Sequence, residues 1–555
     1  MAYLENYEFW LSQKELDPSL KEELLQLNKE QIKECFYTDL GFGTGGMRGL
    51  MGVGTNRINL YTIRRATLGF ARYIKKNNIE GGIAISYDNR KDSRVFAYQS
   101  AMVLAKVGID SYLFDALRPT PMLSFAVRYF KGAGGIMITA SHNPKEYNGY
   151  KAYDHTGAQL SPHDADLVIA EINAITNPFE IEYCDDEHIH YVDQSFDDIY
   201  LTEVATIQIN NFETKPVKIV YSPLHGCGAP IIPDFMKTQG YAIYPYAPQM
   251  VIDSTFPDVK SSNPEEAVAY ENTILYAKEI DADIVMVTDP DADRLGIAVK
   301  HQNEFQLLTG NQTAAIELFY ILSEMKKRYS LPDHGYVYTT NVTTNLIKVI
   351  AKSFDMHVVT TLTGFKFIGE QAEINKDKGT YVFGCEESYG SLVKDFVRDK
   401  DAVQAVYLLA EIANFVDMKK MTMIDYLDQI YQIYGYYYEF TKNIMLTGIS
   451  GLEKINEIMD HFRKNPPKME DKLLKSYDDV FKGIHVENEE TTKLDYPKSN
   501  VLKYNYEDKN WVVFRPSGTE PKLKIYYGTK AKSMEQAKAL VEKFNDQILK
   551  EIESI

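Results

Sequence analysis

Ser141 stands in T-A-S-H-N-P with His142 and Asn143 beside it, and Lys151 follows ten residues later. A serine hydroxyl is a weak nucleophile unless its neighbours activate it. Taken alone, a Ser-His pair reads most simply as a loop serine next to a surface histidine. Three further clusters change that weighting. Asp289, Asp291 and Asp293 alternate through D-P-D-A-D-R. Three carboxylates so close repel one another unless a cation compensates, and an all-oxygen donor set suits Mg²⁺ or Ca²⁺. The calcium-loop reading fails, because Arg294 and Lys300 occupy the positions that need glycine and glutamate, and Pro290 sits second. Arg294 beside the triad suits anionic ligand oxygens sharing the site.

In R-P-S-G-T, Arg515 offers a guanidinium, Ser517 and Thr519 offer hydroxyls, and Gly518 permits close approach of backbone N–H groups. Lys522 and Lys524 add positive charge nearby. The stretch G-C-E-E-S-Y-G presents Glu386, Glu387 and Ser388, either as general acid and base or as acceptors for sugar hydroxyls. Their spacing leaves both open. Cys385 reads as a small core-facing residue, since no histidine lies near it in sequence. The glycine-rich stretch from Gly41 to Gly54 carries one charge, Arg48, which suits phosphate contact or a solvated turn about equally. One chemistry uses every cluster. Ser141 carries a phosphoryl group, a divalent ion neutralises it, carboxylates read sugar hydroxyls, and the Arg515 loop cradles a second phosphate. Phosphoryl transfer is mostly positioning and charge stabilisation, so these parts suffice.

The elements that must position these groups follow from hydrophobic patterning. Ile136, Met137 and Ile138 form a short apolar run of the buried-strand kind, and Pro144 forbids a further ladder donor. Ser141 therefore lies on a loop at a strand end, where open α/β sheets bind ligands. Further strands are expected at Gly82 to Asp88, Val217 to Tyr221, Asp283 to Thr288, Tyr336 onward and Tyr381 to Phe383, with helices at Ser93 to Val107 and Asn345 to Lys352. The recurring order is apolar strand, polar loop, helix. Asp17 and Pro18 start an N-terminal packing helix with Leu20, Leu24 and Leu27 in its stripe. Asp185 to Asp198 reads as polar, irregular chain leading to a boundary. Near the end, Ser533 and Gln536 match a capping box ahead of a helix with Ala537, Leu540, Val541 and Phe544 on its apolar face. The expected fold is α/β: three similar domains with mixed sheets (1–205, 206–308, 309–430) and a smaller α+β domain (431–555) around a central cleft.

The 555 residues carry a formal net charge of −18, which argues against nucleic acid or an anionic membrane as partner. Cys35, Cys184, Cys227 and Cys385 are scattered without metal spacing, as expected in a reducing compartment. No apolar run approaches a membrane span and the N-terminus lacks a signal-peptide core, so a cytoplasmic location is expected.

T-A-S-H-N-P, D-P-D-A-D-R, E-E-S and R-P-S-G-T stand in the order and spacing of the α-D-phosphohexomutase family, the phosphoglucomutases and phosphomannomutases, and the chain resembles that family from about Gly41 to its end. The resemblance implies a four-domain, heart-shaped fold with Ser141 as phosphoserine. It also implies Mg²⁺ held by Asp289, Asp291, Asp293 and the Ser141 phosphate, with glucose 1,6-bisphosphate as intermediate and activator. Arg48, Lys151 and Arg294 fall at family positions for phosphate contact and acid/base work, with His142 placing the phosphoserine. Glu386 and Ser388 would read the sugar, and Arg515, Ser517, Gly518 and Thr519 would hold the second phosphate. Thr363, Gly364 and Lys366 in T-L-T-G-F-K match a substrate loop that phosphoglucomutases write T-P-T-G-W-K. Leu362, Phe365 and Cys385 depart from the commonest pattern and look more like the branch of glucose- and pentose-phosphate mutases and glucose-1,6-bisphosphate synthase. The implied enzyme is a monomer or dimer acting on small sugar phosphates. A pentose- or mannose-phosphate mutase, the synthase, and a silent sugar-phosphate-binding protein are the alternatives, and the intact serine, triple aspartate and Arg515 loop argue against silence.

Overall fold

The computed structural model describes residues 2–43, 45–446, 448–469, 472–517 and 522–555. The chain forms two compact units, one of Met1–Gly310 with Phe365–Thr422 and one of Asn311–Gly364 with Met423–Ile555.

In the first unit, β1 (Gly46–Leu50), β2 (Ile83–Tyr87), β3 (Ser111–Phe114), β4 (Gly134–Ile138), β5 (Tyr147–Tyr153) and β6 (Ile189–Val192) make a sheet of order β1-β5-β4-β2-β3-β6. β2 is parallel to β3 and β4, and β3 to β6. β5 runs antiparallel to β4 and β1, so the sheet is mixed. Every residue of β2 and β4 is buried, as for strands covered on both faces. Phe70 and Ile74 of helix Leu60–Lys76, Phe96 and Leu104 of helix Ser93–Lys106, and Val168 of helix Pro162–Asn173 share a core with Ile85, Ile136 and Ile138. Burying each such large side chain contributes about 1.5–3 kcal/mol. A second sheet has order β11-β10-β9-β7-β8, from β7 (Lys218–Ser222), β8 (Ala242–Pro245), β9 (Ile284–Thr288), β10 (Leu295–His301) and β11 (Glu304–Leu308).

Two sequence expectations are corrected here. The polar stretch from Asp185 to Asp198 contains β6, paired with β3, and starts helix Ser195–Ala205. Ile189 and Val192 face inward there while His190 and Tyr191 are exposed, a pattern too short to stand out from its acidic flanks. The chain after Ser141 and after Asp293 does not enter a helix. Each loop returns as an antiparallel strand, β5 and β10.

Asp17 caps helix Pro18–Gln26 by accepting from Ser19 N and Leu20 N. A true capping box sits one helix later, where Asn28 and Gln31 exchange bonds around helix Lys29–Phe36. These N-terminal helices pack Trp10 edge-on to Phe36, Tyr61 and Phe179.

In the second unit, β12 (Gly335–Thr340) and β13 (His357–Thr361) pair in parallel. The first unit's later strands, β14 (Thr380–Cys385) and β15 (Ser391–Leu392), are antiparallel. The C-terminal sheet comprises β16 (Tyr436–Met445), β17 (Leu474–Asp479), β18 (Ile484–Glu487), β19 (Glu490–Lys493), β20 (Leu502–Tyr506), β21 (Trp511–Pro516) and β22 (Lys522–Ala531), in the order β16-β22-β21-β20-β17-β18-β19. Helix Met534–Ser554 buries Ala537, Val541 and Phe544. Ser533 caps it by accepting from Gln536 N, but the reciprocal bond of a capping box is not formed.

Candidate active site

Ser141 ends up where a strand-end serine should. β4 stops at Ile138, and the turn that follows puts Ser141 in the left-handed region at φ 53°. Its backbone N–H donates to Thr139 Oγ1 at 2.7 Å. Its Oγ donates to Asp289 Oδ2 at 2.7 Å and lies 3.1 Å from His142 Nδ1. The two hairpin loops, far apart in sequence, thus meet through Ser141 and Asp289.

The return strands explain why hairpins serve here. β5 carries Lys151, opposite Met137 of β4, and its Nζ reaches Asp291 Oδ2 at 2.8 Å and Asp293 Oδ2 at 3.2 Å. On β1, Arg48 pairs with Gly149 in register and donates from Nη1 to Asn143 Oδ1 at 2.7 Å. Arg48 therefore sits on a strand instead of the flexible turn its glycine-rich surroundings suggested. Gly149 is required at this crossing, because a Cβ there would lie 2.6 Å from Thr139 O and 2.8 Å from Met47 O.

Asp289 organises its own loop. Its Oδ1 accepts from Asp293 N at 3.1 Å and Arg294 N at 3.0 Å. Thr120 fastens Asp291 from a neighbouring helix, with Oγ1 donating to Oδ2 at 3.0 Å. One acidic oxygen from each of Asp289, Asp291 and Asp293 falls within 4.8 Å of the others, and all three residues are buried. Asp291 Oδ1 and Asp293 Oδ1 are buried and accept no hydrogen bond. Buried carboxylate oxygens left without donors fit a cation, and hard oxygen donors fit Mg²⁺.

Three cations approach the three carboxylates, and two of them are shared with further acidic groups. Besides Lys151, Lys400 Nζ lies 3.2 Å from Asp293 Oδ2 and 3.1 Å from Asp399 Oδ1. Arg294 pairs from Nη1 with Glu265 Oε1 at 2.5 Å and sits 3.9 Å from Asp293 Oδ1. Burial works against the charge on Asp291, yet Lys151 and Lys400 hold it well below the ordinary carboxylate range. Burial and the charges of Asp291 and Asp293 push Asp289 the other way. Burial also disfavours the Lys151 ammonium, but Asp291 and Asp293 outweigh it and raise its pKa. Burial, then Arg294 and Arg48, push His142 well below the ordinary imidazole range, so its ring is neutral.

The E-E-S loop joins the same cluster. Leu295 N, just past the aspartates, donates to Tyr389 O at 3.0 Å. Ser388 Oγ donates to Glu386 Oε2 at 3.1 Å, and burial pushes the Glu386 carboxyl up to about 7. Gly390 leaves room for the Lys400 stem, since a Cβ there would lie 2.1 Å from its Cδ. Cys385 is fully buried, as its core-facing reading requires. Lys366 lies in the first turn of helix Phe365–Asn375 in this unit, its Nζ 5.0 Å over the Phe367 ring.

Ser141, His142, Lys151, Arg48, the three aspartates, Arg294, Glu386 and Ser388 are thus set out on loops and adjoining strands of one unit. Thr363, Gly364, Arg515 and Ser517 belong to the other. There Thr363 Oγ1 is 3.5 Å from Asn341 Oδ1, and Gly364 takes φ +122°. Arg515, opposite Lys524 on β22, is half-buried, with Nη1 3.5 Å from Tyr526 OH. Gly518 and Thr519 lie outside the described residues.

Sequence reading missed Lys400, Thr120 and Arg90, all buried around this cluster. Lys400 sits in D-K-D, which reads as a solvated charged turn, and its role depends on a contact 107 residues away in sequence at Asp293. Arg90 did carry a signal: it lies three residues past the end of β2, a parallel strand neighbouring β4.

Profiles of the phosphoglucomutase/phosphomannomutase family match four successive stretches: α/β/α domain I over residues 39–179, domain II over 198–303, domain III over 309–434, and the C-terminal domain over 463–547. A phosphoglucomutase of Staphylococcus haemolyticus is 36% identical over 526 residues, covering 91% of this chain and 93% of the relative. Among solved structures, the Paramecium phosphoglucomutase pp63/parafusin in its open form aligns with a TM-score of 0.69 at 17% identity, over 92% of this chain and 95% of that one. N-acetylphosphoglucosamine mutase of Aspergillus fumigatus, in complex with GlcNAc-6P and magnesium, aligns at 0.53 and 14% identity over 96% and 99%. The chain belongs to the phosphoglucomutase/phosphomannomutase family and is a phosphohexomutase-type enzyme. Among the described residues, no helix is long and apolar enough to cross a membrane.

Proposed function

We propose that the chain is an α-phosphoglucomutase, interconverting glucose 1-phosphate and glucose 6-phosphate through a Ser141 phosphate and glucose 1,6-bisphosphate. The observation that carries this reading is Ser141 Oγ held 2.7 Å from Asp289, beside two buried aspartate oxygens that accept no hydrogen bond. The phosphoglucomutase relative at 36% identity supports glucose as the sugar, and the magnesium in the Aspergillus mutase complex supports Mg²⁺ as the ion. Asp289, Asp291, Asp293 and the Ser141 phosphate would hold Mg²⁺, which would neutralise charge on the transferring phosphoryl group.

In the forward half-reaction the free 6-hydroxyl oxygen of glucose 1-phosphate bonds to phosphorus as the P–Oγ bond at Ser141 breaks, and the hydroxyl proton ends on the released Ser141 Oγ. The bisphosphate reorients, and dephosphorylated Ser141 takes the 1-phosphate back. Lys151, kept protonated by the aspartates, meets the phosphoryl group as a cation. Neutral His142 contacts Oγ without adding charge. Arg48 and Arg294 offer phosphate contacts from strand and loop. Arg515, Ser517, Gly518 and Thr519 grip the phosphate that is not reacting. Glu386 and Ser388 read the C3 and C4 hydroxyls, which lie near the middle of the ring and suit both orientations. Glucose and mannose share those hydroxyls, so discrimination at C2 falls to the Thr363, Gly364 and Lys366 loop. Four scattered cysteines suit the reducing cytoplasm, where we place the enzyme.

A coupled glucose-6-phosphate dehydrogenase assay tests the activity, with mannose 1-phosphate and ribose 1-phosphate run beside glucose 1-phosphate by product analysis. A preference for glucose over mannose of about tenfold or more on kcat/KM is expected. Equal or faster turnover of ribose 1-phosphate would move the chain to the pentose branch.

A further inference from the structure

Arg90 lies under the Ser141 loop with its side chain wholly buried. A guanidinium has five N–H donors in a rigid planar fork. Here Nη2 donates to Ser141 O at 2.6 Å and Asn143 O at 2.5 Å, while Nη1 donates to Pro144 O at 2.8 Å and Tyr147 O at 2.9 Å. Nε makes no hydrogen bond but lies in ion-pair range of Asp88 Oδ2 at 3.2 Å. Asp88 is itself tied down, because its Oδ1 accepts from Arg90 N at 2.9 Å and Ser93 Oγ at 2.8 Å.

The loop is gripped from a second side. Phe256 lies beneath the Arg90 guanidinium at 5.4 Å, and Ser262 Oγ donates to His142 O at 2.9 Å and Asn143 O at 3.3 Å. His225 anchors this second segment, with Nδ1 2.7 Å from Val251 O and Nε2 2.5 Å from Pro257 O.

We infer that Arg90 is a positioning residue for phosphoryl transfer, clamping four carbonyls of the loop so that Ser141 holds its left-handed backbone and keeps Oγ on the aspartate triad. A non-glycine residue at φ 53° persists only where its surroundings over-determine it. No other single side chain among the described residues holds both ends of this loop, from Ser141 to Tyr147. A lysine in its place keeps the charge but offers three donors from one nitrogen and cannot span four carbonyls. Arg90 needs no contact with sugar or phosphate to do this. The inference rests on Ser141 being the phosphoryl carrier.

The test compares wild type, Arg90→Lys and Ser262→Ala as full-length enzymes with Mg²⁺. The readouts are kcat and KM for glucose 1-phosphate, the rate of labelled phosphate transfer from glucose 1,6-bisphosphate onto Ser141, and amide exchange across residues 141–147. Arg90→Lys should lower kcat and the labelling rate by about 100-fold, because a displacement near 1 Å at a reacting group costs that much. KM should stay within about threefold, since the substrate grip is untouched. Exchange at the loop amides should quicken about tenfold while the core of the sheet stays protected. Ser262→Ala, which loosens the same carbonyls from outside, should lower kcat about fivefold with the same exchange signature. Arg90→Lys turnover within twofold of wild type, with unchanged loop exchange, overturns the inference. Should Arg90→Lys not fold, Ser262→Ala decides, and unchanged kcat and exchange in that variant overturn it equally. Failure of wild type to label at Ser141 would instead bring down the phosphoserine reading itself.

Discussion

Ser141 follows the first strand of one antiparallel pair and Arg515 stands within another, opposite Lys524, yet the two regions treat charge in opposite ways. Around Ser141, apart from the exposed Arg48, the charged groups sit largely out of water and in pairs: Lys151 and Lys400 on the aspartates, Arg90 on Asp88. Desolvating an ion costs several kcal/mol and is repaid only by close partners and complete hydrogen bonding. Arg515 stays half-buried, faces Lys524 across the ladder, and pairs with no carboxylate among the described residues. A half-buried guanidinium of this kind suits the phosphate contact proposed for it. On the proposed reading, the group that carries a covalent phosphate is built into the fold, whereas the group that grips and releases one is left half in water. Charge at the first site is a fixed environment, and charge at the second is an affinity.

The comparison breaks first at Ser141. Replacing it with alanine should lower turnover by about 10⁴-fold or more, since the phosphoryl carrier itself is lost. The melting temperature should stay within about 2 °C, because one hydroxyl carries little packing. Peptide mass spectrometry of the wild-type enzyme should find phosphate on Ser141. Turnover near wild type in the alanine variant would mean that the buried site is scaffold only.

Asp291→Asn is the next strongest lever. Activity should fall about 10²–10³-fold, the usual scale for removing one preorganised electrostatic group. Excess EDTA should silence the wild type, with Mg²⁺ restoring it. In EDTA the variant should still fold but melt below wild type, since Asp291 is held ionised by the buried Lys151 and its loss leaves that ammonium with Asp293 alone. Undiminished activity in EDTA would remove the ion from the site.

Arg515→Ala probes the other region and should act on binding. Losing a charge-assisted contact costs about 1.5–3 kcal/mol. That predicts KM rising about 10–150-fold while labelling of Ser141 at saturating bisphosphate changes less than about threefold. A fall in kcat at constant KM would erase the contrast between the two regions.

The smallest expected effect is a pH limb. Burial raises the Glu386 carboxyl to about 7, so it is neutral below that pH and ionised above it. If the carboxylate accepts the sugar hydroxyls, kcat/KM should climb severalfold as pH rises from about 6 to 8. Glu386→Gln should lose the part of that rise that the substrate phosphate does not supply. Identical profiles for the two enzymes would take Glu386 out of substrate binding.

The legible part of the site was local. Ser141 beside His142, three alternating aspartates and the R-P-S-G-T string are chemistry written within a few residues, and strand runs such as Ile136 to Ile138 placed two of those loops at strand ends. The helices at Ser93 and Asn345 were equally legible, because a 3.6-residue stripe survives in the sequence whatever it packs against. Strand β6 was hidden by the acidic residues on either side of it. The hairpin returns were hidden too, since β5 and β10 look the same from the sequence whether they run parallel or antiparallel to the strand before.

The amino-acid order by itself determined which atoms are candidates for the work: a serine hydroxyl, three carboxylates in alternation, a guanidinium beside two hydroxyls. Tertiary structure decided what those atoms are worth. Asp291 and Asp289 carry the same side chain two residues apart, yet one is held ionised and the other is pushed toward its neutral form. The difference comes chiefly from Lys151, which reaches Asp291 from 140 residues away in sequence, and from the contact between the two carboxylates themselves. Coulomb energy depends on distance and burial in space, and neither is written in the spacing of residues along a chain.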